Sequence, residues 1–205
     1  MFARSFAGQF RKPTGFLGRL VGRFMARGNL YEIGWTVFFL NIQADDHVLE
    51  VGFGPGISIQ MVAQKATDGL TAGVDLSQTM VQVARRRNAA AIQAGRVDLQ
   101  LGDAAALPFG DDSFDKALAI HSIYFWPKPT EGLKELRRVL KPDRCLAVTI
   151  RPREKWERTR PSEIFTLYNG GDIEQLLIAS GFRKTRVETS PEPDKFPGIC
   201  VLGVK

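Results

Sequence analysis

A short glycine-rich segment after an apolar run holds the residues whose types and spacing best suit chemistry. The run Val48–Val51 contains one acidic residue, Glu50, and glycines follow at Gly52, Gly54 and Gly56. The apolar run predicts a buried parallel strand, and the glycines let the backbone turn tightly and approach a ligand closely. A carboxylate at the end of such a strand can accept hydrogen bonds from a cationic amino group. The segment therefore predicts a ligand site.

The order acidic-x-Gly-x-Gly-x-Gly resembles motif I of the class I S-adenosylmethionine (SAM)-dependent methyltransferases. The dinucleotide fingerprint Gly-x-Gly-x-x-Gly differs, because its third glycine would fall at Ile57. A second acidic residue, Asp75, ends the next apolar run, 19 residues after Gly56. Because both families place an acid on a ribose there, Asp75 supports a nucleoside ligand without choosing between them. A nucleotide-dependent oxidoreductase that binds NADH is therefore the first alternative.

The resemblance implies a role for each residue of the donor site. Glu50 would hold the methionine amino group of SAM, and the three glycines would bring the backbone against the donor. Asp75 would bind the ribose hydroxyls, with Leu76 beside the adenine. Asp103 and Ala104 would contact the adenine ring, although Asp103 could instead cap a helical turn. The implied cofactor is SAM, and the implied product is S-adenosyl-L-homocysteine (SAH).

A second motif is similar to a signature of the small-molecule, quinone-biosynthesis-like branch of this family. It consists of Leu107-Pro108-Phe109 followed by Phe114-Asp115. The Asn/Asp-Pro-Pro-Tyr/Phe motif of many nucleic-acid and protein-glutamine N-methyltransferases is absent, which disfavours a nucleic-acid substrate. We expect a small-molecule or lipid-like acceptor. The alternatives are a phospholipid or aminolipid N-methyltransferase at a membrane surface, and a SAM-binding protein without turnover.

The residues after the fourth apolar run are predicted to form the acceptor side, because ligands of a doubly wound sheet lie beyond the carboxyl ends of its strands. Tyr124, Phe125 and Trp126 would form an apolar wall for a flat or greasy acceptor. They could equally pack against the helix that follows. His121 is the histidine placed to act as a general base, because imidazole titrates near neutral pH. The alternative, that it only orients a loop, is slightly favoured.

Alternating apolar and amphipathic stretches predict the elements that position these residues. Strands are expected at 47–52, 70–75, 96–101, 115–121 and 144–150, and two more near 183–189 and 198–204. Helices are expected at about 30–42, 57–66, 77–93, 129–139 and 172–180. This order predicts an α/β, doubly wound, seven-stranded and mostly parallel sheet with a C-terminal antiparallel hairpin. The resemblance implies the Rossmann-like methyltransferase fold, in which the last strand inserts antiparallel beside parallel neighbours.

The net charge of +6 is concentrated at the amino terminus. Residues 1–28 contain six basic residues and no acidic one, so the remaining 22 basic residues balance the 22 acidic ones. Within this leader, apolar residues of 16–27 recur on one predicted helix face and arginines on another. We expect a lid helix over the donor. Contact with an anionic membrane surface is the second hypothesis, and attraction to nucleic acid the third.

Length and composition indicate one domain, which we assign to residues 29–205 after the leader. The chain has 205 residues, of which 44% are apolar, enough for a full core. No stretch approaches the roughly 20 apolar residues of a membrane span, and no secretory signal is evident. Two cysteines and two histidines in unrelated places predict reduced thiols and no metal site. We predict a cytoplasmic protein and leave its oligomeric state open.

Overall fold

The computed structural model describes residues 14–15, 28–156 and 166–205. The predicted leader helix at 16–27 lies outside these residues. The helices are α1 (Leu30–Phe39), α2 (Ile57–Ala63), α3 (Gln78–Arg87), α4 (Ala89–Gln93), α5 (Pro129–Val139), α6 (Arg153–Trp156) and α7 (Gly170–Ala179). The strands are β1 (Val48–Val51), β2 (Thr71–Asp75), β3 (Val97–Leu101), β4 (Phe114–Ile120), β5 (Leu140–Ile150), β6 (Arg183–Thr189) and β7 (Ile199–Val204).

All seven strands form one sheet in the order β3-β2-β1-β4-β5-β7-β6. Strands β1 to β5 pair in parallel, whereas β7 is antiparallel to both β5 and β6. The chain winds outward in both directions from β1, which is the doubly wound topology. The predicted α/β class, the C-terminal hairpin and the inserted last strand are confirmed. None of the described helices has the length and apolar character needed to cross a bilayer.

Strand β1 separates two apolar layers. Leu49 and Val51 pack in the layer formed with α5 and α7, whereas Val48 packs with α1 and α2. Successive side chains of a strand point to opposite faces, so Glu50 falls on the same face as Val48. Burial on both faces explains why β1 is apolar without alternation. Because Glu50 shares a face with Val48, its carboxylate lies beside the first turn of α2.

The predicted single helix at 77–93 is wrong, because two helices meet at Asn88. Ser77 caps the first of them, since its Oγ accepts from the Met80 N–H at 3.2 Å. At Asn88 the backbone leaves the helical region, with φ −102° and ψ 18°. The Asn88 amide donates to the carbonyls of Ala84 at 2.9 Å and Gly56 at 3.1 Å. Asparagine offers the backbone such alternatives to helical hydrogen bonds, which favours a break.

Strand β5 begins four residues earlier than predicted. Helix α5 ends at Val139 as expected, but Leu140 immediately pairs with Phe114 of β4. The register then shifts, and pairing resumes at Cys145. Pro142 lies in the irregular stretch between these pairs, where its missing N–H group removes no bond to β4.

The Leu-Pro-Phe signature builds the framework and lies outside the cavity described below. Leu107 is buried, and its N–H group donates to Glu135 Oε2 at 2.9 Å. Arg138 donates to the carbonyls of Leu107 at 3.2 Å and Phe109 at 2.8 Å. The guanidinium of Arg138 holds the pKa of Glu135 below its ordinary value. This network fixes the segment before β4 against α5.

Candidate functional site

A cavity opens at the carboxyl ends of β1, β2 and β4, where the sheet topology predicts a ligand site. Its wall comes from the loops after β1, β2, β3 and β4 and from the start of α1. Ten of the predicted site residues line it: Glu50, Gly52, Gly54, Asp75, Leu76, Asp103, Ala104, His121, Phe125 and Trp126. Gly56 and Tyr124 do not line it.

Glu50 is a buried carboxylate with one oxygen engaged and the other available. Its side chain is 2% exposed, and Oε1 accepts from Ser58 Oγ in the first turn of α2 at 2.7 Å. Oε2 has no hydrogen-bond partner among the described residues. Burial raises the pKa of Glu50 from 4.5 to about 8, with Ser58 opposing and the charge of Asp75 adding to the rise. A cationic amino group that donates a hydrogen bond to Oε2 would satisfy this buried carboxylate.

Asp75 ties the glycine loop to the end of β2. Its Oδ2 accepts from the Gly54 N–H, and its Oδ1 accepts from the Ser77 N–H, both at 2.8 Å. Burial raises the pKa of Asp75, and these two N–H groups counteract part of the rise. Each carboxylate oxygen has a second lone pair, so the side chain can still accept from a ligand's hydroxyl groups. Asp75 therefore fixes the glycine loop at the point where both line the cavity.

The glycines of the loop differ in what surrounds them. A Cβ atom added to Gly52 would lie 2.3 Å from Ser122 Cβ, so the backbone passes directly over the segment after β4. Gly56 is turned toward α3, where an added Cβ would lie 2.6 Å from Ala84 Cβ. At Gly54 an added Cβ meets nothing within 4 Å. The loop thus combines two close backbone contacts with one open position at the cavity wall.

The adenine-side candidates lie on the loops after β2 and β3. Leu76 is 38% exposed and offers an apolar surface to the cavity. Asp103 Oδ1 accepts from the Ala105 N–H at 2.9 Å, which is the turn-capping alternative. Its side chain nevertheless lines the cavity together with Ala104. The Gly102 N–H donates to the Asp75 carbonyl at 3.1 Å and joins these two loops.

The aromatic segment after β4 divides between the cavity and the core. Phe125 and Trp126 line the cavity, but Tyr124 is only 4% exposed and its hydroxyl bonds with the backbone of Arg151. The structure therefore places Tyr124 differently from the prediction, because the short 3₁₀ helix Ile123–Phe125 rotates it inward. Trp126 also packs on α5, within 2.8 Å of where a Cβ on Gly132 would stand. Phe125 and Trp126 thus lie at the cavity wall, and Trp126 also contacts the helix that follows.

His121 lies at the junction between β4 and this segment. It lines the cavity, and its backbone N–H group donates to the Thr149 carbonyl at 2.8 Å. The ring lies parallel to that of Tyr124, with centroids 6.3 Å apart. The backbone φ of 53° is uncommon for a residue with a side chain. This turn directs the chain from the strand into the cavity wall.

The residues that line the cavity but were not predicted as site residues include four from outside the glycine loop. Asn29 and Ile33 come from the start of α1, Ser58 from α2 and Ser122 from the segment after β4. Asn29 occupies the N-cap position of α1, but its side chain makes no capping hydrogen bond. Ser58 has a local signal, since it lies just after the glycine loop. Ser122 has one as well, since it directly follows His121, whereas Asn29 and Ile33 depend on contacts between distant parts of the chain.

The acidic side chains of the cavity lie at the carboxyl ends of β1, β2 and β3. Among the described residues, the acidic side chains that line the cavity are those of Glu50, Asp75 and Asp103. No cluster of three metal-ligating side chains occurs in the ranges that the structure describes. SAM fits these groups, because its amino group, ribose hydroxyls and adenine amine are donors that match carboxylate oxygens. The unpartnered Oε2 of Glu50 is the observation on which this fit depends.

Comparisons with known proteins show which family the chain resembles. A family model for a methyltransferase domain matches residues 49–148. The chain is 33% identical to the uncharacterized methyltransferase YdaC of Bacillus subtilis over 135 residues, or 66% of this chain and 72% of YdaC. It is 42% identical over 101 residues to the demethylmenaquinone methyltransferase of Symbiobacterium thermophilum, covering 47% of this chain but only 39% of that protein.

The fold agrees as well. A SAM-dependent methyltransferase from Aquifex aeolicus superimposes with a TM-score of 0.72 at 20% identity, covering 87% of this chain and 91% of that chain. At this identity the likeness supports the fold alone, whereas the similarity to YdaC supports the family. The chain therefore belongs to the class I SAM-dependent methyltransferases and is an enzyme that uses SAM as its methyl donor.

Proposed function

We propose that this enzyme methylates a small or lipid-like acceptor that is apolar and uncharged at the reacting end, such as a phenol or hydroquinone. When bound, SAM supplies an electrophilic methyl group on a sulfonium. The acceptor side of the cavity, formed by Ile33, Ile120, Phe125, Trp126 and Pro127, carries the proposal. These side chains are apolar and give no counter-ion to a charged acceptor. Such a wall excludes water and suits a flat ring.

For the donor half, we propose the roles that the sequence suggests. Glu50 binds the amino group of SAM and Asp75 the ribose hydroxyls, while the loop backbone at Gly52 and Gly54 approaches the donor. Leu76, Asp103 and Ala104 form the adenine wall. We propose that Gly56 contributes through packing on α3, because its Cβ position faces Ala84. This division places the donor across the ends of β1, β2 and β3. The acceptor then lies toward β4 and α1.

Two basic residues after β5 support an uncharged acceptor, because both form ion pairs with acids and neither lines the cavity. Arg151 forms an ion pair with Glu32 at 2.7 Å, and Arg153 forms one with Asp172 at 3.1 Å. Neither arginine lines the cavity. An acceptor bearing a phosphate, as in an aminolipid headgroup, would lack a cation there among the described residues. The alternative of a phospholipid or aminolipid N-methyltransferase is therefore less well supported.

The acceptor class is tested by measuring SAH formation from SAM with a panel of neutral acceptors. We expect turnover with phenols and hydroquinones such as 1,4-naphthohydroquinone, and none with phosphoethanolamine. Titration of SAH and NADH into the protein should show binding of SAH alone. Methylation of phosphoethanolamine without methylation of any neutral ring would overturn the proposed acceptor. SAH binding without turnover on any panel member would favour a SAM-binding protein.

We propose His121 as the general base, because a hydroxyl acceptor must lose its proton and this imidazole lines the cavity. Replacing His121 with asparagine tests the role, since asparagine tolerates the positive φ at this turn. Turnover with the best acceptor is expected to fall by about 10²-fold or more, the usual contribution of a general base. SAH affinity should stay within about twofold. A variant that keeps its full turnover would show that His121 only orients the loop.

We propose that residues 16–27 of the basic leader form a lid over the donor. Residues 16–27 lie outside the described residues, so this proposal depends on their charge and amphipathic pattern alone. Peripheral membrane contact through the same segment is the weaker proposal. The cytoplasmic location stays a prediction.

A further inference from the structure

Asn29 uses its side chain in an unusual way for the first residue of a helix. Asparagine at an N-cap ordinarily accepts a hydrogen bond from the helix backbone, but the Asn29 side chain makes no such bond. Its Oδ1 instead accepts from a terminal nitrogen of Arg151 at 3.1 Å. A guanidinium group only donates hydrogen bonds, so the amide atom that faces it must be the oxygen. The NH2 group of Asn29 is therefore turned away from Arg151.

Arg151 is itself held firmly enough to impose this orientation. Its Nε and one terminal nitrogen bond with Glu32 Oε1 at 2.8 and 2.7 Å, and Glu32 is completely buried. The same terminal nitrogen donates to the Gly28 carbonyl at 2.9 Å. The backbone N–H of Arg151 donates to the Tyr124 hydroxyl. Arg151 thus joins the end of β5 to the start of α1 and to the aromatic segment.

The NH2 group of Asn29 is a hydrogen-bond donor at the cavity wall, where a bound ligand could accept from it. Asn29 lines the cavity, and among the described residues the hydrogen bond found for its side chain is the one that Oδ1 accepts from Arg151. An amino-acid end group needs an acceptor for its ammonium and a donor for its carboxylate. Glu50 supplies the acceptor, but no lysine or arginine of the described chain lines the cavity. The amide of Asn29 is a neutral donor suited to that carboxylate.

We propose that Asn29 binds the carboxylate of the donor's methionine portion through its amide NH2, and that Arg151 is the positioning residue that sets the amide. The inference rests on the proposed donor site and deepens it. It adds a ligand-binding residue that lies outside the glycine motif. It also gives the ion pair between Glu32 and Arg151 a role in donor recognition.

Two ligands separate a carboxylate contact from a general effect on the cavity. SAH carries the amino acid end, whereas 5′-methylthioadenosine keeps the adenosine and the thioether without it. Calorimetric titration should show that Asn29→Asp weakens SAH binding by tenfold or more and leaves 5′-methylthioadenosine within twofold. Asn29→Leu adds no charge and should weaken SAH binding about tenfold. It should leave the pH dependence of that binding unchanged, because Glu50 is intact.

Arg151→Lys tests the positioning role, because lysine keeps the charge and loses the planar fork. We expect SAH binding to weaken several-fold, again without an effect on 5′-methylthioadenosine. The double variant Asn29→Leu/Arg151→Lys should bind SAH as the Asn29→Leu single variant does, since Arg151 acts through Asn29. Additive losses would overturn the positioning role.

The remaining outcomes are also decisive. Unchanged SAH binding in both Asn29 variants would overturn the inference, and so would equal losses for SAH and 5′-methylthioadenosine. Either result would leave the donor site standing as long as the unaltered protein binds SAH. If the unaltered protein binds no SAH, the proposed donor site itself fails. The two proposals therefore fail on different measurements.

Discussion

Replacing Glu50 with glutamine is expected to stabilise the ligand-free protein at alkaline pH and to weaken donor binding. Glutamine has nearly the same shape, and its amide can keep the hydrogen bond that Ser58 donates to Glu50 Oε1. It removes the charge that burial disfavours. The same charge would stabilise the amino group of a bound SAM or SAH. Stability and binding should therefore change in opposite directions, as expected where a site is strained for function.

The pH dependence follows from the pKa of Glu50, which burial raises to about 8 from 4.5. Between these two values the folded protein binds more protons than the unfolded chain, so the free energy of unfolding falls as the pH rises. Above about pH 8 the buried carboxylate is ionised and the loss is complete. Glu50→Gln lacks this loss. We expect it to be more stable than the unaltered protein by about 5 kcal/mol at pH 9, or about 10–20 °C in Tm. The two proteins should converge below about pH 4.5.

Donor binding should show the complementary effect. Below about pH 8 the carboxyl group must lose its proton to hold an ammonium, so SAH binding should release up to one proton. Affinity should then rise with pH by up to about tenfold per unit. Glu50→Gln should bind SAH about 10- to 100-fold more weakly at pH 8, the usual loss for a hydrogen bond to a charged group. It should release no proton through this site.

Calorimetry in two buffers of different ionisation enthalpy measures the released proton, and thermal unfolding from pH 5 to 9 measures the stability. Ser58→Ala is the matched control, because it keeps the carboxylate and removes a hydroxyl that favours its charged form. The midpoint of its binding profile should shift to higher pH. Equal SAH affinity of Glu50→Gln and the unaltered protein at pH 8 would contradict the assignment of Glu50.

The parts of the site that follow from sequence are those encoded over a short stretch of chain. Glu50 and the glycines lie within seven residues, and Asp75 ends the next strand of the sheet. Parallel pairing of β1 with β2 then brings them together without further information. The sheet order is equally accessible, because the alternation of apolar and amphipathic stretches restricts the topology.

Other parts of the site depend on long-range packing, which a single sequence does not encode locally. Arg151 reaches Asn29 across 122 positions of the chain, and neither residue belongs to a motif. The inward turn of Tyr124 depends on its bond with the backbone of Arg151. The Leu-Pro-Phe signature is conspicuous in the sequence, yet it builds the framework around Arg138. A motif can therefore mark a family without lining the cavity.

The glycine loop gives the second prediction, since two of its members should respond oppositely to alanine. Gly56→Ala is expected to lower stability and leave SAH affinity nearly unchanged. Gly54→Ala is expected to lower SAH affinity and to lower stability less than Gly56→Ala does, because only backbone strain of about 1–2 kcal/mol applies there. The two positions are separated by one residue and share a positive φ, 52° at Gly54 and 75° at Gly56. They differ in what their side chains would meet.

The physical cost is larger at Gly56. An added Cβ there would lie 2.6 Å from Ala84 Cβ and 2.9 Å from Asn88 Nδ2, both in the helical segment that packs on the loop. Left-handed backbone strain of about 1–2 kcal/mol adds to an overpacking cost of about 1–3 kcal/mol. We expect Tm to fall by about 4–20 °C, given about 2–4 °C per kcal/mol for a chain of this size. At Gly54 the strain stands alone, because an added Cβ meets nothing within 4 Å.

The loss of affinity at Gly54 has a separate cause. This residue lines the cavity, and its N–H group holds Asp75 Oδ2 at 2.8 Å. A methyl group at this wall would occupy space that the backbone leaves for the donor, so SAH affinity should fall by about tenfold or more. Thermal unfolding and SAH calorimetry on both variants measure the two effects. Ala84→Gly in the Gly56→Ala background should recover part of the lost stability, because it removes the atom nearest the new Cβ. If Gly56→Ala folds with unchanged Tm and loses SAH binding, the third glycine contacts the donor and its packing role is wrong.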